Sequence, residues 1–252
     1  MRHGWLVGAC AWLLVVGFPL ASAVAQTAAP ESVAAGGRLY DKWWEAVADV
    51  KAPAGNHPMW ALQTTNKRKG GDTWRCKECH GWDYKGKDGA YGKGSHSTGF
   101  PGVWDVAQKK SVGELVAILK GSANPKHDFS AVLKPADLTV AANFLKYGLV
   151  DASKYVDYAT RKPIGGDASR GKSLFDLCAA CHGPDGKKLN FGTDKKPEYV
   201  GTVAIENPIE FLHKARVGQP GSNPPMLSAL IVGWDMQKVV DVLTYAQTLP
   251  EK

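Results

Sequence analysis

Apolar residues recur at helical spacing in several separated stretches, and runs without any such period lie between them. In Gly37–Val47, Leu39, Trp43, Ala46 and Val47 fall on one face and predict an amphipathic helix. Ser111–Gly121 predicts the next, with Ser111 and Glu114 as a capping box and Gly121 as the stop. Pro135–Gly148 predicts a third. The second half repeats the plan with Ser169–Leu177, Asn207–Gly218 and a last helix that begins at Asp235 and runs through Leu249. Asn207 suits an N-cap, and Pro208 suits the first helical position. Lys51–Gly71 holds Pro53, Gly55, Pro58, Gly70 and Gly71, and Gly81–Gly102 holds seven glycines, so both predict loops. Leu149–Ser169 has little apolar period and predicts a connection, with Tyr155, Val156 and Tyr158 as residues able to dock on a neighbour. The pattern predicts an all-α fold of two tandem units, 31–148 and 169–252, joined by 149–168.

Ahead of these, Arg2 and His3 precede an apolar run from Trp5 to Leu20 and the small residues Ala21-Ser22-Ala23-Val24-Ala25. That is the pattern of a secretory signal peptide over residues 1–25. It predicts an exported, periplasmic protein with no permanent membrane anchor once the segment is cleaved. The apolar run is near membrane-spanning length, so an uncleaved anchor is the rival reading.

Cysteine placement changes the picture most. Of five cysteines, Cys10 lies in the signal segment, and the other four form Cys76-Lys77-Glu78-Cys79-His80 and Cys178-Ala179-Ala180-Cys181-His182. Cys-x-x-Cys-His is the attachment signature of c-type haem. Cysteines at i and i+3 and a histidine at i+4 share one face of a helical turn, so one turn presents two thiols and an imidazole to one group. A shared zinc site would need its two halves about a hundred residues apart, far beyond the usual spacing. A redox cysteine pair gives no reason for histidine to follow twice. The reading is two covalently attached haem groups, held through Cys76, Cys79, Cys178 and Cys181, with His80 and His182 as axial ligands.

The order of parts in each half resembles a class I cytochrome c domain: helix, Cys-x-x-Cys-His, loop, middle helix, ligand loop, last helix. The tandem also resembles the cytochrome c4 layout. The resemblance implies a second axial ligand, usually Met, in the loop before the last helix. In the second half that residue is Met226, nine positions before Asp235. In the first half the loop has no Met, and His127, ten positions before Asp137, stands in its place. His96, on the glycine-rich loop, competes with His127. Met59 precedes the motif, on the wrong side for this pattern, and His213 reads as an ordinary helix residue.

The formal charge of +7 is spread in short lysine clusters, with no basic helix or nucleic-acid motif. Nucleic acid is therefore not the expected partner, and redox proteins, acidic ones above all, are. Iron bound by protein on both axial sides suits electron relay rather than substrate chemistry, and Met ligation raises the potential over bis-His. The expected function is an electron carrier, with the first haem His/His and low in potential and the second His/Met. The alternatives are a dihaem redox enzyme with an open first haem, peroxidase-like or acting on another small substrate, and a cytochrome subunit of a larger dehydrogenase or oxidase.

Overall fold

In a computed structural model that describes Met1 and residues 28–252, helix makes up 48% and strand 4%, with no barrel, and the all-α expectation holds. The predicted signal segment, 1–25, lies outside the described residues apart from Met1. No helix among the described residues is long and apolar enough to cross a membrane.

Helix α1 (Pro30–Ala46) begins seven residues earlier than the periodicity predicts, because Pro30 fits the first turn and Val33 and Ala34 extend the buried stripe of Leu39, Tyr40 and Trp43. It crosses the later helix α5 at Gly36, where an added Cβ would lie 2.3 Å from the Val140 carbonyl oxygen. Only glycine allows so close a crossing. The haem-motif turn is α2 (Cys76–His80), followed by α3 (Trp104–Lys109), α4 (Val112–Leu119) and α5 (Pro135–Asn143). The capping box of Ser111 and Glu114 is present at the start of α4, and a wider turn over Phe144–Gly148 continues α5 to its predicted end.

In the second half, α6 (Ala168–His182) runs without a break into the second motif. It is followed by α7 (Val200–Glu206), α8 (Pro208–Val217), capped by Asn207, and α9 (Met236–Ala246), capped by Asp235. Helices α3 and α7 were not expected; each is about two turns, too short for a period to stand out.

Two apolar clusters hold these helices. One joins α1, α4 and α5 through Leu39, Trp43, Leu115, Leu138 and Phe144; the other joins α6, α8 and α9 through Phe175, Leu212, Val240 and Leu243. Neither is confined to one half. Val217 of α8 packs in the first cluster, and Trp82 and Tyr91 pack in the second. Polar bonds follow the same seam. The buried His213 donates from Nε2 to the Gly37 carbonyl and accepts from the Tyr84 hydroxyl, both at 3.0 Å. Arg38 donates to the Val217 carbonyl at 2.7 Å, and Arg216 to the Gly148 carbonyl at 2.9 Å. The connecting segment is also ordered: β1 (Val156–Asp157) pairs antiparallel with β2 (Lys162–Pro163), and Val156 is buried in the second cluster.

Candidate functional site

The first motif is a single helical turn whose ends explain its geometry. Gly81 closes α2 at φ 76°, ψ 161°, a backbone region open essentially to glycine alone. A Cβ there would also meet Asp83 Oδ1 at 2.7 Å. The chain then loops back so that His80 Nδ1 donates to the Pro101 carbonyl at 2.7 Å. That bond fixes the tautomer, orients the ring and leaves the Nε2 lone pair free to bind a metal.

Cys76, Cys79 and His80 line one side of a cavity of about 750 Å³, its open mouth included. The loop after α4 supplies Asn124, His127 and Phe129 to the same cavity. His127 ends a short 3-10 turn over Pro125–His127, which Asn124 caps by accepting from the Lys126 amide at 3.0 Å. Its ring centre lies 6.2 Å from that of His80, with the planes at 75°. His96 is not among the residues lining this cavity and stacks on Tyr91 instead, ring centres 4.7 Å apart. Of the two candidate histidines, His127 is the one brought to the first motif.

Burial pushes the His80 imidazole down to about 4, against the opposing effect of the Pro101 carbonyl, and lowers His127 in the same way. Both rings are therefore neutral near pH 7, the form that ligates metals. Burial also pushes the Cys76 and Cys79 thiols up to about 12 and Cys178 to about 11. Protonated thiols of this kind are the reverse of an activated nucleophile. No group of three or more His, Cys, Asp and Glu side chains among the described residues could hold a bare metal ion. The donors of the first motif instead share the walls of a space fit for a larger group, as covalent haem requires.

The face of α2 turned from the cavity carries buried charge. Lys77 pairs with Glu78, which also faces Arg68 at 3.3 Å and Arg75 at 3.9 Å. Burial pushes Glu78 up, but Lys77, Arg68 and Arg75 together hold it below its usual value. Arg75 pairs with Asp41 of α1, and Asp41 also meets Lys214 of α8 at 2.7 Å. Burial opposes ionisation of Asp41, yet Lys214 and Arg75 hold it well below the usual carboxylate range. One carboxylate thus ties the first helix, the start of the first Cys-x-x-Cys-His turn and the second half together.

The second motif ends α6 and closes with Gly183 at φ 80°, ψ 158°. Cys181 is exposed, Cys178 and His182 are partly buried, and the His182 ring lies 5.6 Å from Phe191. Met226 stands on the loop after α8, half-buried, its amide donating to Ser222 Oγ at 2.8 Å. A seryl bond on each side fixes this loop, since Ser228 Oγ donates to the Arg216 carbonyl at 2.6 Å.

Two cavity residues come from the segment read as plain loop. His57 and Met59 both line the first cavity, and the Met59 sulfur accepts from Asn124 Nδ2 at 3.2 Å. Met59 precedes the motif, yet it reaches the cavity because the long insertion folds back over the loop that carries Asn124 and His127. The length of that insertion was the available signal.

No family model matches the chain, and no solved structure matches it. The chain is similar to the gluconate 2-dehydrogenase cytochrome c subunit of Pantoea cypripedii, 28% identical over 168 residues. The match covers 62% of this chain and 34% of that protein, so the chain spans about a third of the length of the curated relative it matches.

Proposed function

We propose that the chain is an exported dihaem c-type cytochrome that relays single electrons between redox proteins. Cys76 and Cys79 would hold the first haem, with His80 and His127 as the side chains able to ligate its iron. Cys178 and Cys181 hold the second, with His182 and Met226. The observation that carries the reading is that Cys76, Cys79, His80 and His127 line one cavity, with the two imidazole centres 6.2 Å apart. For Met226 the support is its place on the loop before the last helix and its offset, nearly equal to that of His127.

A bound haem supplies a one-electron couple whose potential follows its ligands. The chain's part is to fix those ligands. The Pro101 carbonyl orients His80, the Pro125–His127 turn holds His127, and the two seryl bonds hold the Met226 loop. Were His80 with His127, and His182 with Met226, all to bind iron, a change of oxidation state would need little movement of these side chains, and a small substrate would find no place there. The name of the Pantoea relative favours one more specific form of the reading, a cytochrome subunit docked to a dehydrogenase.

Absorption and electron paramagnetic resonance of the oxidised protein test the assignment. Two low-spin haems are expected, with a single Met–iron band. His127→Phe turns one haem high-spin, and Met226→Leu removes the band. A band that survives Met226→Leu and disappears in Met59→Leu would reassign the Met ligand. A high-spin first haem in the unaltered protein would overturn the relay in favour of a small-substrate redox enzyme.

A further inference from the structure

The insertion before the first motif carries a donor that the ligand assignment does not use. His57 is 5% exposed and is gripped at its backbone, where its amide donates to Thr73 Oγ1 at 2.8 Å. Its ring packs edge-on to Trp74, with centres 4.5 Å apart, and lies 6.1 Å from the His127 ring. Nδ1 accepts from the Met59 amide at 3.1 Å, so the neutral ring carries its proton on Nε2. That nitrogen is buried and has no hydrogen-bond partner among the described residues. A buried donor left unsatisfied is costly, so its presence on the wall of this cavity calls for an acceptor.

The other polar groups on that wall are already engaged. Thr73 accepts from His57 and donates to the Gly70 carbonyl, Asn124 serves Met59 and Lys126, and Arg75 serves Asp41. In its present tautomer His57 offers a hydrogen, not a lone pair, and so is not set to bind iron. With imidazoles on both axial positions, the acceptors that a haem brings are the carboxylates on its edge.

We infer that His57 is a positioning residue that donates its Nε2 hydrogen to a haem carboxylate at the first site. This rests on the reading of that cavity as a haem site with His80 and His127 as ligands. The insertion then orients the cofactor and sets the charge next to it, from a part of the chain that the second half lacks.

Two substitutions separate this role from simple capping. Asparagine places an oxygen near the position of Nδ1 and keeps the bond to Met59, but it lacks the Nε2 donor. Glutamine places its amide nitrogen near Nε2 and keeps the donor. The holoprotein is compared by resonance Raman, in the haem carboxylate bending modes, and by a redox titration that resolves both haems. His57→Asn should shift the bending modes of one haem and move the first potential while the second stays fixed, with both haems low-spin. His57→Gln should restore the modes and the potential. Unchanged modes and potential in His57→Asn would overturn the inference and leave Nε2 facing the Trp74 ring. A high-spin haem in His57→Asn would overturn it by making His57 a ligand. A first haem that stays low-spin in His127→Phe would instead refute the ligand assignment beneath it.

Discussion

The two Cys-x-x-Cys-His turns close alike and are buried unlike. In each, the glycine after the histidine adopts a glycine-only backbone and donates four residues back, Gly81 to Lys77 at 2.9 Å and Gly183 to Ala179 at 2.8 Å. In each, the histidine carbonyl accepts from the returning loop, from Gly86 at 2.8 Å or Lys188 at 2.9 Å. The residues between the cysteines then invert the usual rule. Lys77 and Glu78 are 4% and 0% exposed, whereas Ala179 is half-buried and Ala180 lies exposed. Hydropathy alone would have buried the alanines and put the charged pair in water. The charged pair is tolerated because Glu78 meets three cations and Lys77 lies 5.0 Å over the Trp82 ring. The first turn is thus an interior element and the second a surface one.

Removing the cysteines of one motif at a time breaks the comparison most severely. Cys76→Ser with Cys79→Ser, or Cys178→Ser with Cys181→Ser, should each reduce covalent haem from two per chain to one, measured as the pyridine haemochrome. The first pair should also cost fold, seen as lost helical circular dichroism, because an interior cavity loses its filling. The second pair should leave the first haem's spectrum intact. Next in size is Asp41→Asn, which leaves Arg75 and Lys214 without their shared carboxylate in a buried setting. A loss of about 3 kcal/mol is expected in denaturant unfolding, against well under 1 kcal/mol for the exposed pair partner Asp88→Asn.

The last effect is a pH slope. Burial holds the His213 ring down to about 3, helped by Lys214 and Arg216 and opposed by Asp41 and the Gly37 carbonyl. Its folded value lies below the ordinary value of 6.5, so its contribution is complete above pH 6.5. It is lost as pH falls from there toward 3, because the unfolded chain takes up the proton first. Asp41, also depressed, adds a loss in the same direction below about pH 4. From His213 alone, thermal unfolding should show stability falling between pH 6.5 and 4 with a slope approaching about 1.4 kcal/mol per pH unit. The slope should flatten in His213→Gln.

Much of the framework was legible because it depends on local rules. The capping box at Ser111, the Asn207–Pro208 start and the Asp235 cap each appear where residue type alone put them. His127 was reachable through its offset from the last helix. His57 was not, since a histidine in a Pro- and Gly-rich loop has no period to reveal its neighbours. His213 sits on a helix, as its sequence context predicts, but its partners lie 129 and 176 residues away, beyond any local signal. Asp41 and Lys214 belong to the same class.

The ordered connection between the halves has a consequence for distance. A free chain of about 20 residues would let its ends wander with a root-mean-square separation of about 25 Å. Here the segment pairs with itself at Val156 and Pro163, buries Val156, and is bridged on either side by bonds from α8 to α1 and to Gly148. The gap between the two Cys-x-x-Cys-His turns is therefore set by packing, like the spacing of two teeth on one gear. In the proposed relay, transfer between them would need no encounter, and its rate should not depend on viscosity.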